Sequence, residues 1–427
     1  MSTEILYAGA GSAKIRFPEA LFPLEGFSGK IHDDPMARVL LLSCGQQVAI
    51  VALDLVMMLP PGVKRLKDII REITGTDPDR IWIHTTHAIS TPHEPHPPWG
   101  GPKKELTAEE KKKIEEGSAL FREGLEAAVR AAAQQAKDAF RPAKMGIGTG
   151  TCTVNVNRDL PTPFGWWTGF NPEGYSNHTA TVLRFDDENG NMIAGVVSFG
   201  MKACVLDNSE MNRGTRVVSA DVPGTAACLL EERFGVPCLY LMGAACDQIP
   251  RETALYDEVS ADGTVHTVDL GVQKGLEIAE RLSREMADNV ACILESVTCD
   301  RTDCPISTGC GEINWETKGR TRAKPTTHVD WTATGSTRVE SLAVAVGDVA
   351  LVALRPEVNA ITEKQLQEAS PYPTTLMVTM VNGSNSYMPD QSSYDCFTAA
   401  SQTAPLMPGA AEQWVDESVR VLNQLHS

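Results

Sequence analysis

Apolar residues follow two rhythms along this chain, and the alternation between them predicts its elements. In "QQVAIVALDLVMM" (Gln46–Met58) the run after the two glutamines is apolar except for Asp54 and reads as a buried strand. In "PGVKRLKDIIREITG" the spacing changes: Leu66, Ile69, Ile70 and Ile73 recur on one helical face until Gly75 supplies a stop. "DRIWIHTTH" returns to a strand, so this segment predicts a strand-helix-strand unit whose two strands are parallel neighbours. "TPHEPHPPWGGP" is too rich in proline and glycine for regular structure and reads as a loop. Thr107 and Glu110 then form a capping-box pattern before a long helix with an inner face of Ile114, Phe121, Leu125, Ala128, Ala132 and Ala136.

The rest of the chain repeats these signals in other orders. "ATVLRFDDENGNMIAGVVSF" predicts a hairpin turning at Asn189-Gly190, a pair that adopts positive φ angles easily. "PGTAACLLEERFG" predicts a helix, and "VPCLYLM" a strand that opens into "GAACDQIPRE". Gly271 to Leu294 has helical spacing, whereas Val297 to Thr337 is polar and weakly patterned. "VESLAVAVGDVALVAL" predicts a second hairpin turning at Gly347-Asp348; the strand "TLMVTMV" and a last helix follow. The sequence shows no internal repeat. The expected fold class is α/β, with mixed and parallel sheets flanked by helices, and one domain over residues 1–427.

Composition narrows the partners. A net charge of −17 argues against nucleic acid or an anionic membrane surface, and points to a small-molecule substrate. The start "MSTEILYAGAG" has neither a basic stretch nor a long apolar run, and no segment suits insertion into a bilayer, so a cytoplasmic location is expected. The 11 cysteines are scattered without a close C-x-x-C pair and read as reduced thiols. No nucleotide cofactor is expected, and self-association as a homo-oligomer stays open.

Candidate chemistry collects where apolar strands end. Asp54, His87, Lys202, Asp247, Glu357 and Tyr387 each lie at or just beyond such an end, where open α/β sheets place ligands. Single polar residues after strands are ordinary loop composition, so it is their number that suggests a shared pocket. "HTTHAISTPHEPH" holds four of the nine histidines, a density that suits a metal or an acid/base site as well as a solvated loop. Lys202, in "VVSFGMKACVL", is a lone charge among apolar neighbours.

Seven segments in order resemble the neutral/alkaline ceramidase family, over nearly the whole chain but only the catalytic domain of those enzymes, without their C-terminal immunoglobulin-like domain. They are "AGAGSAKIRFPEALFPLEGF", "TTHAISTP", "VNRD", "SADVPG", "MGAACDQIPR", "LRPEVNAITE" and "NGSNSYMP". The resemblance implies a hydrolase with a zinc site, in which His87, Glu357 and Tyr387 match three metal ligands. It departs from the family at three places: Lys202 stands where a second histidine ligand is expected, Ile249 where the catalytic serine is, and Ile89 where the second histidine of T-H-x-H is.

An ammonium facing a zinc ion is costly: like charges ~4 Å apart at an effective dielectric of ~20 repel by about 4 kcal/mol. Zinc, or another divalent metal, is therefore doubtful at this degenerate site unless His84, His93 or His96 supplies a substitute ligand, His93 and His96 being favoured by their flanking prolines. Lys202 can instead act as the cation that polarises a carbonyl, or, with a lowered pKa, as a general base or Schiff-base former. The leading expectation is a hydrolase acting on an amide or related bond through Lys202, His87, Asp247, Glu357 and Tyr387. A lyase or isomerase using Lys202 and His87, and a binding protein without chemistry, are the alternatives. Asp54, Arg158, Trp166, Trp167 and Arg251 are placed as substrate-binding; the aromatic loop suits a polar or carbohydrate-like substrate better than a lipid.

Overall fold

A computed structural model describes residues 5–97, 105–384 and 386–427; the end of the predicted loop Thr91–Pro102 and residue 385 of "NGSNSYMP" lie outside them. The chain builds the same arrangement three times. In each unit two antiparallel pairings are followed by a crossover helix, a fourth strand parallel to the third, and a closing helix.

The first unit uses strands Tyr7–Lys14, Met36–Cys44 and Gln46–Leu53, helix Pro60–Thr74, strand Ile81–Thr85 and helix Ala108–Asp138. The second uses Lys144–Thr151, Thr179–Asp186 and Met192–Phe199, helix Asp221–Phe234, strand Cys238–Met242 and helix Gly271–Ser296. The third uses Ile306–Lys318, Ala333–Val346 and Val349–Ala353, helix Ala360–Ala369, strand Thr374–Val378 and helix Ala410–His426. The expectation of no repeat is corrected at the level of topology. Apolar runs can specify the same strand order with unrelated residues, so the repeat leaves no trace in residue identity.

Burial explains why the central strands read as unbroken apolar runs. Leu40, Leu42, Val48 and Ile50 face a core shared with Leu183, Val196 and Leu239 of the second sheet and Val344, Leu351 and Leu376 of the third. The alternate residues Val39, Leu41, Ala49 and Val51 face the helices outside. With both faces covered, period-two alternation disappears. The second and third sheets carry helices on their outer faces in the same way.

The expected βαβ unit is present, with Gln46–Leu53 and Ile81–Thr85 as parallel neighbours and Gly75 as a left-handed cap. The capping box at Thr107 and Glu110 forms, although Ile114 is only half-buried. Its helix lies directly on the first strand: a Cβ on Gly9 would sit 2.2 Å from the Ala136 carbonyl oxygen, and one on Gly11 2.2 Å from that of Ala132. The first hairpin turns as expected, but only Gly190 has positive φ; the Asp187 carboxylate accepts from the Asn189 and Asn191 amides and holds the turn.

Residues Val297–Thr337 differ from expectation. They contain Ile306–Lys318 and the start of Ala333–Val346, strands that pair along their whole length. The outer half of this ribbon buries little besides Ile313 and Lys318, so it lacks an apolar run to announce it.

The three units meet at His84. Its Nδ1 lies 2.9 Å from the Thr379 carbonyl oxygen of the third unit, and its Nε2 accepts from the Met242 amide of the second at 3.1 Å. Burial lowers its pKa to about 4, in keeping with a neutral ring that donates from Nδ1 and accepts at Nε2. No helix among the described residues is long and apolar enough to cross a membrane, and no disulfide forms among them.

Candidate active site

The C-terminal ends of the third and fourth strands of the three units point to one place. His87 lies two residues beyond Ile81–Thr85, in a left-handed conformation (φ 57°) that a non-glycine residue adopts at a cost. The segment is held there by bonds from the Thr86 and Ala88 amides to the Leu53 and Leu55 carbonyls, and from the Ile89 amide to the Ala203 carbonyl.

Lys202 lies three residues beyond Met192–Phe199. Tyr240 Oη donates to both the Phe199 and Met201 carbonyls, and Gly200 passes so close to Ala244 that a Cβ would lie 2.5 Å from its carbonyl oxygen. Glu357 follows Val349–Ala353. Its backbone pairs with the Tyr387 segment through Glu357 N to Ser386 O and Met388 N to Glu357 O.

These side chains converge. Lys202 Nζ is 3.0 Å from Glu357 Oε2 and 3.2 Å from Tyr387 Oη, and stands 4.3 Å from the Tyr387 ring centre. Glu357 Oε2 faces the ammonium as an ion pair but without the angle of a directed hydrogen bond. His87 Nδ1 is 3.8 Å from Glu357 Oε1 and has no hydrogen-bond partner. The Arg158 guanidinium lies over the same tyrosine ring, 5.0 Å from its centre, with Nε unpartnered.

Electrostatics set the protonation states. Burial pushes the His87 pKa down to about 4, against the pull of Glu357 and with the help of Lys202 and Arg158, so its imidazole is neutral near pH 7. Burial and Arg158 both oppose the charge on Lys202, yet Glu357, Tyr387 and Cys246 together outweigh them and its pKa rises. That direction runs against the alternative of a Lys202 neutralised by burial and acting as general base or Schiff-base former. Burial works to raise the Glu357 pKa, but Lys202 and His87 hold it below the ordinary value.

Two cavities adjoin at His87 and Tyr387. The larger, about 530 Å³, is lined by Glu357, Arg320, Thr317, Ser384 and Ser386 among others. The smaller, about 190 Å³, is lined by Lys202, Arg158, Asp207, Phe170 and Tyr256, together with Ile89 and Ile249. All three departures from the family pattern thus border one cavity. Sequence reasoning missed Asp207, Tyr256 and Arg320; Asp207 directly follows the segment "VVSFGMKACVL", but nothing in the sequence places Tyr256 in the smaller cavity or Arg320 in the larger.

Other expected site residues lie elsewhere. Asp54 is buried in an ion pair with Arg38 at 2.7 Å and lines neither cavity. Arg251 pairs with Glu285 at 2.6 Å, turned away by the strand Gln248–Pro250 that precedes it. Trp167 donates to Asp257 at 3.1 Å, while Trp166 and Asp247 line a third cavity behind the strand Asn155–Thr162. His93 is bound to Glu25 at 2.9 Å and His96 contacts the Pro97 carbonyl, both on the surface loop. His84 spends both ring nitrogens on backbone groups. Among the described residues, no three His, Cys, Asp or Glu side chains gather as a metal-ligand group.

No family model matches this chain, and no curated protein does. Solved structures do. The neutral ceramidase from Pseudomonas aeruginosa superposes with a TM-score of 0.72 at 12% identity, covering 99% of this chain and 75% of that one. A ceramidase complexed with C2 gives 0.71 at 12% identity with the same coverage. Together with the mixed sheets and their flanking helices, these superpositions establish that the chain has the fold of the neutral ceramidases.

Proposed function

We propose that this protein is a ceramidase-like hydrolase that cleaves an amide or related bond in a small polar or carbohydrate-like substrate, with Lys202 serving where a metal would. The observation that carries this reading is the buried Lys202–Glu357 pair at 3.0 Å beside the unpartnered Nδ1 of a neutral His87. The donor set does not fit zinc: Lys202 Nζ lies within 3.2 Å of Glu357 and Tyr387, two of the groups that would bind the ion. No step therefore passes through a metal.

Neutral His87 can take a proton from water as its oxygen attacks the substrate carbonyl. The Lys202 ammonium and Arg158 guanidinium then face the developing oxyanion, where fixed positive charge in a dry site has its greatest effect. When the carbon–nitrogen bond breaks, the imidazolium returns its proton to the leaving amine. Charged and hydroxyl groups set in otherwise largely apolar linings, Arg320, Ser384 and Ser386 in the larger cavity and Asp207 and Arg158 in the smaller, can anchor the polar groups of a polar or carbohydrate-like substrate.

A second reading rests on Ile249 and Ile89, which line the smaller cavity where the resemblance implies a serine and a histidine. In it His87 removes a proton beside a carbonyl, Lys202 holds the enolate, and the enzyme is a lyase or isomerase. Turnover of N-acyl amino acids, N-acyl amino sugars and sugar acids in water labelled with heavy oxygen, with chelator present, separates the readings. The expected result is one labelled oxygen in the acid product. Carbon-bound deuterium from heavy water without oxygen label would instead support the lyase or isomerase. Activity lost to chelator and restored by metal would overturn the role given to Lys202, and ligand binding without turnover would leave a binding protein.

A further inference from the structure

The third cavity, about 410 Å³, lies behind the active site and plays no part in the mechanism above. Strand Asn155–Thr162 forms the wall between them. Side chains alternate across a strand, so Arg158 borders the catalytic side while Asn157 and Asp159 border the other. Asp247 ties the wall together: its carbonyl accepts from the Arg158 amide at 2.8 Å, and its carboxylate from Asn157 Nδ2 at 3.0 Å.

This cavity is acidic and has unused acceptors. Asp159, Asp247, Asp390 and Glu173 line it, and among the described residues no lysine or arginine does. Asp159 is 6% exposed, and its Oδ1 has no partner. Asn359 is 4% exposed, and its Oδ1 has none either.

The orientation of that amide follows from its neighbours. Ser393 gives its hydroxyl proton to Asp390 Oδ1 at 2.8 Å, so the group facing Ser393 Oγ at 3.0 Å must be the donor, Asn359 Nδ2. Asn359 Oδ1 is thereby turned away from this network. Two buried oxygens without donors are costly unless something supplies N–H or O–H groups. Burial has a second mark: it pushes the carboxyl of Asp159 up to about 6, against Arg158 and with Asp390, and that of Asp247 up to about 7, with the help of Asp159.

We propose that this cavity binds a small organic ammonium ion, whose N–H groups fill Asp159 Oδ1 and Asn359 Oδ1 and whose carbon skeleton lies against Trp166. A cation supplies the missing donors to a lining that holds carboxyl groups and, among the described residues, no lysine or arginine, and an indole face favours an ammonium further. A bare metal ion fits less well. The Asp247 and Asp390 oxygens are already engaged by Ala360, Asn157, Ser392 and Ser393, and no metal-ligand group gathers among the described residues. The proposal is independent of the reaction assigned to Lys202.

Calorimetric titration of the full chain with cadaverine tests it, with the matching diol as the neutral control. Saturable binding of the amine is expected, with the diol weaker by about tenfold or more, the scale of one charge-assisted hydrogen bond. Asp159→Asn is expected to weaken the amine by a similar factor. If that variant fails to fold, Trp166→Leu is expected to weaken it as well, because the cation then loses its aromatic face. Equal binding of amine and diol, displacement of the amine by equimolar calcium, or unchanged affinity in a folded Asp159→Asn would each overturn the proposal, as would no saturable heat at all.

Discussion

Two buried ion pairs lie near strand ends in this molecule, and they do different things. Arg38 and Asp54 meet at 2.7 Å, each 1% exposed, and their remaining capacity is largely taken up: Arg38 Nε binds Glu231 at 2.9 Å, and Asp54 Oδ2 also accepts the Met36 amide. The cluster joins a strand of the first unit to the crossover helix of the second. Lys202 and Glu357 are as deeply buried, but around them His87 Nδ1 and Arg158 Nε are left without partners, beside two cavities. Burial and pairing alone do not mark a site. Hydrogen-bonding capacity left unused next to a cavity does.

The sharpest break in that comparison is Lys202→Met. Kinetics on the identified substrate should show kcat/KM lower by about 10²–10³, the scale of losing one oxyanion donor. Lys202→His should sharpen it further, since the variant supplies a ligand in place of an ammonium and is expected to retain zinc after dialysis, read by elemental analysis. Arg38→Met should do the reverse. Denaturant unfolding should show a loss of about 3–5 kcal/mol, as for other broken buried pairs, with kcat/KM of the folded protein unchanged.

Asp247 is a buried carboxyl with hydrogen bonds but no cation, and it should respond to pH. Its folded pKa, raised by burial from 3.8 to about 7, means that the native state keeps a proton the unfolded chain has lost. Its contribution is therefore full at low pH and is lost as pH rises through about 7. Thermal melts from pH 5 to 8 should fall less steeply for Asp247→Asn than for the parent. The smallest effect belongs to Arg251→Ala: the pair with Glu285 is about a third exposed and solvent-screened, so a change of ~0–1 kcal/mol is expected, with activity unchanged.

Much of the fold was legible in the sequence because apolar runs, helical spacing and caps are local signals. The βαβ unit, the capping box and both hairpins follow from residues close in the chain. The long ribbon of Ile306–Lys318 and Ala333–Val346 was not, since its outer half is solvated and leaves no apolar pattern. In the site, His87, Lys202, Glu357, Tyr387 and Arg158 could be named because each follows or lies within a recognisable segment. Asp54 and Arg251 had the same local signature, and their actual partners, Arg38 and Glu285, are set by packing between distant segments.

The sequence by itself determined where strands end and which charged or polar residues stand there, Lys202 among them. It could do so because strand formation and its termination depend on neighbours a few residues away. Only the tertiary structure decided which of those residues share a cavity, that Lys202 pairs with Glu357 while Asp54 is taken by Arg38, and that Asp159 and Asn359 turn unsatisfied oxygens behind the site. Those outcomes depend on how three sheets pack around His84, which brings together groups far apart in the chain.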